Sequence, residues 1–479
     1  MKKTIVAALA AALLAGCATT LPELPAQPET PVRFKEAGIE WTTARPAALD
    51  RGLWWRAFSD PDLERLVELA GQRNAGIQEA AARLAQARAL VRSARADRLP
   101  QVGLGAAASR QSGANTVGGS TPSTLYQASA NASYELDLFG RLSGAQDAAE
   151  LDAQAREALL GSARLLVQAE VAQVYLALRA LDTERELVRE TVGAYADTLR
   201  LTERRHRAGD VAELDVVRVQ SELAANEAEA LALDRQRSQL EHALAVLVGE
   251  SPSSFQLQPR EWSTALPVIP PGVPSVVLAR RPDVAAAQAS LRAAQARVGV
   301  AQAAWFPDVA LTAAGGFASP ELGDLLRWSA RAWSVGALLS MPLFDGGRRE
   351  AGVQAAQAEL EASAAQYRGQ VLQAFREVED QLASLRLLSE QSQAQQRAVE
   401  SARRAGAISE TRYRNGLVSQ LELLDARRSE LRNRRQALQV RSAQYQATVG
   451  LIRALGGGWE VPQTASQAQV DTAPRATGG

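Results

Sequence analysis

Residues 126–138 read Tyr-Gln-Ala-Ser-Ala-Asn-Ala-Ser-Tyr-Glu-Leu-Asp-Leu. Tyr126, Ala128, Ala130, Ala132, Tyr134, Leu136 and Leu138 share one parity, and Gln127, Ser129, Asn131, Ser133, Glu135 and Asp137 share the other. Successive side chains of a strand point to opposite faces, so the stretch predicts a strand with one apolar and one polar face. The run Trp333, Val335, Ala337, Leu339, Met341, Leu343 keeps the same alternation, with a less polar second face. Segments 100–111 and 307–318 read as partner strands, joined by loops carrying Gly118-Gly119 and Pro320. Each strand has about 10–13 residues, and crossing a bilayer takes about 9–11.

Four such strands cannot stand in lipid alone, because the sheet's edges would leave backbone groups unpaired. Closed barrels begin at about eight strands. Two chains would reach that number with an interior filled by side chains, whereas three would supply about twelve strands and a wider bore. The polar face suits a water-filled lumen. A half-exposed sheet in a soluble protein is the alternative that the strands alone leave open.

The rest of the chain is a helical duplication. Proline is absent from Pro122 to Pro252 and from Pro342 to Pro462, which leaves two helix-compatible blocks around a Pro-rich connector at 250–282. A shift of 207 sets Pro100 on Pro307, Ile77 on Val284, Leu84 on Leu291, Val91 on Val298, Gly209 on Gly416 and Gly249 on Gly456. Between these landmarks, Leu138-Phe139-Gly140 answers Leu343-Phe344-Asp345 at 205, which reads as a loop of altered length. The protein is a tandem repeat. Each copy opens with a helix at 77–94 or 284–301 and ends in long seams, Val167 to Thr202 and Leu417 to Ile452, stepping by 4 and 3 as in coiled coils. Leu142 to His206 alone is 65 residues, roughly 98 Å of helix. Gly209 and Gly416 read as reversals between antiparallel helices.

The chain has 479 residues, with 53 basic and 53 acidic side chains, so no basic excess points to nucleic acid. The sole cysteine, Cys17, and two distant histidines, His206 and His242, leave no metal or redox constellation. Nucleophile-elbow and phosphate-loop motifs are absent, which argues against an enzyme. Lys2-Lys3, the apolar run Ile5 to Ala15 and Leu14-Ala15-Gly16-Cys17 form a secretory signal resembling a lipobox. Cleavage before Cys17 would let it carry a diacylglycerol and an N-acyl chain, and Ala18 in place of aspartate then favours the outer membrane, by resemblance to bacterial lipoprotein sorting signals. An ordinary signal with an incidental cysteine is the alternative. No stretch is apolar and long enough for a membrane helix.

Trp54-Trp55, Phe58, Asp60-Pro61, Leu63, Leu66, Asn74 and Ile77 form one motif. Arg280-Arg281-Pro282-Asp283-Val284 with Val298-Gly299-Val300-Ala301 and Phe306-Pro307 form a second, and Tyr413-x-x-Gly416 with Leu421 to Ala426 a third. In these the chain resembles the TolC-type outer-membrane efflux factors, in particular their lipoprotein branch. The resemblance implies an α+β membrane protein: a homotrimer whose 12-stranded β-barrel, four strands per chain, continues into a 12-helix periplasmic α-barrel. It divides the chain into a signal at 1–16, a lipidated tether at 17–40, a first repeat at 41–249, an equatorial connector at 250–282, a second repeat at 283–462 and a disordered tail at 463–479. It implies a passive export duct for drugs or other small molecules, lipid-anchored in the bacterial outer membrane and coupled to a periplasmic adaptor and an inner-membrane pump. No cofactor is expected beyond the lipid on Cys17.

By the same resemblance, Tyr413, Glu422, Asp425, Asp210 and Asp215 belong to a periplasmic gate. Gly209, Val211, Gly416, Leu417 and Val418 would meet the adaptor. Val418 stands where some relatives hold a latching arginine. The alternative is that the acids cap helices or pair with Arg218 or Arg427. Trp305, Phe306, Phe139 and Phe344 would form an interfacial girdle or pack the strand–helix elbows. A coiled-coil envelope lipoprotein without transport is the alternative function, disfavoured by the polar-inside strands.

Overall fold

The computed structural model describes residues 22–24, 31, 33–36, 52–112, 122–269, 277–278 and 280–457. Cys17, the signal at 1–16, most of the 17–40 tether, Gly118-Gly119 and the 463–479 tail lie outside the described residues. A 3-10 turn at Trp54–Phe58 leads into α1 (Pro61–Arg73), α2 (Ala75–Ala96), β1 (Gln101–Gln111), β2 (Ser123–Leu136), α3 (Arg141–Arg207) and α4 (Glu213–Leu247). After the connector come α5 (Pro282–Ala303), β3 (Asp308–Ser319), β4 (Arg331–Ser340), α6 (Arg348–Arg414) and α7 (Gln420–Ala454).

The duplication is strict in its helices. Both ends of α2, α3 and α4 recur 207 residues later as those of α5, α6 and α7. The 205 offset at Leu138-Phe139-Gly140 is therefore no lasting change in length, for the left-handed Gly140 and Gly347 resume 207. What differs is the division between strand and elbow. The sequence extended the fourth strand to Leu343, but β4 ends at Ser340. Pro342 has no N–H to give a ladder, so the elbow takes up the remainder. The second strand likewise stops at Leu136 rather than Leu138. Asp137 turns away to accept from the amides of Leu142 (3.0 Å) and Ser143 (2.7 Å) at the start of α3. Asp345 does the same for Gly347 and Arg349 at the start of α6.

The chain forms two compact units, each assembled from both repeats: residues 1–28, 82–157 and 286–369, and residues 29–81, 158–285 and 370–479. The first holds the sheet, an antiparallel meander β1-β2-β3-β4. Its register pairs Val102 with Ala132, Ala132 with Ala313 and Ala313 with Val335. With strand alternation, this puts Val102, Leu104, Tyr134, Leu136, Val309, Leu311, Val335 and Leu339 on one face. Asn131, Ser133, Glu135, Thr312 and Ser334 share the other. Beneath the sheet, Leu291, Ala294 and Val298 of α5 pack against Leu360 of α6. At the elbows Phe139 stacks on Phe306 at 4.7 Å, and Arg349 lies over Trp305 at 4.7 Å, while Phe344 is 91% exposed.

The second unit explains why the two longest motifs look as they do. Trp54, Trp55, Phe58, Leu63 and Leu66 are buried core. Asp60 caps α1 through the amides of Asp62 and Leu63, and accepts from Tyr175 Oη at 2.8 Å and Thr264 Oγ1 at 2.7 Å. Asn74 caps α2 through Gly76 and Ile77 and donates to the Leu247 carbonyl. Arg281 is buried between Asp283, Glu377 and the Ala454 carbonyl. Gly249 and Gly456 are left-handed, and a Cβ on either would come within 2.5 Å of the Arg73 carbonyl oxygen or 2.6 Å of that of Arg280.

The part of the tether in this unit is docked. Phe34 is 1% exposed and meets Phe375 edge-on. The amides of Lys35 and Glu36 donate to the two carboxylate oxygens of Glu379 at 2.7 and 2.9 Å, and Arg386 pairs with Glu36 at 3.0 Å. Among the described residues no helix is long and apolar enough to cross a membrane.

Candidate functional site: the tips of the helical hairpins

All the expected gate and adaptor residues lie at the ends of two hairpins in the second unit, α3–α4 and α6–α7. The turns are built alike. Gly209 N donates to the His206 carbonyl and Asp210 N to that of Arg205; Gly416 N and Leu417 N donate to the carbonyls of Tyr413 and Arg412. This is the Schellman arrangement, whose hinge residue is left-handed and hence glycine, with φ 83° at Gly209 and 70° at Gly416. Neither glycine has an atom within 4 Å of where a Cβ would sit, so backbone conformation, not space, demands them. The next helices start differently: Ser419 Oγ accepts from Glu422 N, whereas Ala212 offers no side-chain cap.

Gly209, Gly416 and Leu417 are exposed; Val211 and Val418 are half-buried. His206 Nδ1 lies 3.0 Å from the Val211 carbonyl oxygen, which it can reach as donor and so brace the first turn. Asp210 and Glu422 are exposed and, among the described residues, make no ion pair. Asp215 lies 3.9 Å from Arg218. Asp425 pairs with Arg428 at 3.3 Å, not with Arg427. Arg427 turns to the other hairpin, where it meets Thr198 Oγ1 at 2.7 Å and the Ala194 carbonyl at 3.2 Å.

Tyr413 is buried, its ring 5.2 Å beneath the Arg205 guanidinium and its hydroxyl without a partner among the described residues. Gln420 donates to Thr202 Oγ1 at 3.0 Å, leaving its carbonyl oxygen buried and unmatched. Tyr195, Val219 and Leu424 close an apolar cluster between the hairpins. Above it Arg428 grips both carboxylate oxygens of Glu222. That hydrogen bond holds the Glu222 carboxyl below the ordinary glutamate range, and burial pushes the Tyr195 phenol up.

The sequence reading placed Thr202 only on a seam and Arg427 only as a partner for the acids, and it missed Arg205, Gln420 and the Glu222–Arg428 pair. A signal for the last was present. Arg428 meets Glu222, and seven residues on Arg435 meets Glu229. One heptad step on both helices marks parallel neighbours. Contacts of α7 with α3 run in opposite order, Gln420 to Thr202, Arg434 to Glu190 and Gln446 to Gln173, marking antiparallel ones.

The family model described as outer membrane efflux protein matches residues 66–250 and 273–457, and the chain belongs to that family. The two matched stretches are themselves 207 residues apart. The chain is 33% identical to outer membrane protein OprJ of Pseudomonas aeruginosa over 461 residues, covering 95% of this chain and 96% of OprJ. It is 32% identical to the antibiotic efflux pump outer membrane protein ArpC of Pseudomonas putida over 482 residues, 98% and 99% of the two chains. Among solved structures the outer-membrane channel OprN superposes with a TM-score of 0.84 at 33% identity, over 92% of this chain and 99% of OprN. The fold is thus that of the trimeric TolC-type channels, and the protein is the outer-membrane channel subunit of an efflux system.

Proposed function

We propose that three copies of this chain close one duct, anchored by acyl chains on Cys17, through which small molecules pass from a periplasmic adaptor and an inner-membrane pump without any catalytic step. The observation that carries the reading is the sheet. Its edge strands β1 and β4 are exposed along their whole length. One face is apolar through the middle of all four strands, while the other carries Asn131, Ser133, Glu135, Thr312 and Ser334 among small residues and Leu338. Bare edges in lipid are too costly to persist, and identical copies supply the missing neighbours. Three copies give about twelve strands, wide enough for a water-filled bore.

At the hairpin tips, Glu422 and Asp210, both exposed and unpaired among the described residues, with Asp425 and Asp215, supply the carboxylates of a periplasmic aperture. Tyr413 supports its wall from behind. Exposed turns at Gly209–Val211 and Gly416–Val418 receive the adaptor. Like charges about 10 Å apart repel by roughly 0.4 kcal/mol in water and 1.7 kcal/mol at an effective dielectric of 20, enough when repeated threefold to bias an aperture toward cations. The test is the purified, detergent-extracted protein. A trimer mass with ion conductance in planar bilayers supports the reading, and a monomer that conducts nothing overturns it. Glu422→Ala with Asp425→Ala should lower cation selectivity at least twofold in the same bilayers; unchanged currents would remove those carboxylates from the aperture.

A further inference from the structure

The apolar face of the sheet ends in two arginines. Arg110, next to last in β1, shares the parity of Val102 and Leu104, and Arg331, first in β4, shares that of Trp333 and Val335. The register places both on the apolar face and at the same end of the sheet, the end where the hairpin loops lie: Arg110 opposite Thr124, Arg331 opposite Phe317. Both are exposed, and neither has a carboxylate partner among the described residues. The first hairpin offers none, since no acidic residue occurs between Gln111 and Gln127. In the second, Asp324 is taken by Arg327 at 3.0 Å, and the exposed Glu321, which follows β3, makes no ion pair with either arginine among the described residues. The Arg331 guanidinium is held over the ring of Trp328, itself 75% exposed, at 4.8 Å.

A cation on a lipid-facing surface is costly at the bilayer centre and nearly free at headgroup level. Aromatic residues mark that level, and Trp328 and Trp333 flank Arg331 there. Because the two arginines stand on the two edge strands, closing the barrel with identical copies brings Arg110 of one copy and Arg331 of the next to the same seam. We propose that each seam of the assembled barrel binds a phosphorylated lipid headgroup of the outer leaflet, with the Arg110 and Arg331 guanidinium groups of adjacent copies gripping the phosphate. Guanidinium is the donor best matched to phosphate, presenting paired N–H groups in a plane. The apolar band below Arg110 and Arg331 accommodates the acyl chains. The inference rests on the trimeric outer-membrane reading, and the test separates the two.

Full-length trimer, extracted in mild detergent and incubated with purified lipid A or with lipid A stripped of its phosphates, is weighed intact by native mass spectrometry. The expected result is retention of phosphorylated lipid A, up to three per trimer, with the dephosphorylated form retained at least fivefold less. Arg110→Gln with Arg331→Gln should lower phosphorylated lipid retention at least fivefold at unchanged trimer mass. Arg110→Lys with Arg331→Lys should keep part of it, and Arg327→Gln all of it. Equal retention of both lipids, equal retention by the double glutamine variant, or displacement by millimolar inorganic phosphate would overturn the proposal. A wild-type mass of one chain would overturn the trimer and the lipid site together.

Discussion

At the scale of the residue, the glycines and Asp60 carry the sharpest consequences. Gly416 and Gly249 are both left-handed, but only Gly249 also has a carbonyl where a Cβ would go. Gly416→Ala should therefore cost about 1–2 kcal/mol, the left-handed penalty of an L residue. Gly249→Ala should cost more, because the Arg73 backbone must also move. Melting temperatures of the two trimers will show this ordering, and equal losses would refute it. Asp60 is buried, which pushes its carboxyl up, but hydrogen bonds from Thr264 and Tyr175 outweigh that and hold it below the ordinary range. Its contribution is thus complete above the ordinary aspartate pKa, and is lost as pH falls through the lowered one. Asp60→Asn should cost about 2 kcal/mol at pH 7 and flatten the acid limb of stability against pH. An unaltered acid limb would show that Asp60 is not the titrating group. Tyr175 beside it, its phenol pushed up to about 12 by burial, stays a donor throughout that range.

At the scale of the element, long helices are joined edge to edge by charge and by small apolar clusters. Arg428 serves Glu222 on α4 and Asp425 on its own helix, so α7 ties the two hairpins just above their turns. Single exposed pairs contribute about 0.2–1 kcal/mol. Arg428→Glu should accordingly leave the melting temperature within a few degrees while loosening the tips, seen as faster hydrogen exchange around 208–222 and 413–428. The double variant with Glu222→Arg should restore slow exchange; failure to do so would show that the pair does not fasten the hairpins. The docked tether is a second such element. Phe34→Ala removes its only described apolar plug, and should make residues 31–36 cleavable by protease while channel conductance stays. Cleavage no faster than wild type would mean that Glu379 and Arg386 hold the segment without it.

At the scale of the whole molecule, each compact unit draws on both repeats, so neither half of the sequence carries a complete unit. Residues 1–249 expressed alone contain β1 and β2, two strands of the four, and only one hairpin. Such a fragment should aggregate rather than give a protease-resistant core, and a folded, soluble half would contradict the interleaved architecture. Much of this was legible beforehand. The period-2 alternation of 126–138, the offset of 207 and the glycine hinges foretold the sheet, the duplication and the reversals. Each is a local rule: parity, helical spacing and left-handed φ act within a few residues. The fourth strand was drawn too long because parity persists through Met341 and Leu343, although Pro342 can give no ladder hydrogen bond.

The amino-acid sequence by itself therefore determined the kind of elements and their twofold recurrence. Tertiary structure alone decided the partners. That Arg427 would meet Thr198 while Arg428 meets Glu222, that Asp60 would gather Tyr175 and Thr264, and that Arg110 and Arg331 would end on one face all depend on register. Which groups face each other across 100 or more positions is set by packing, and packing leaves no trace in local spacing.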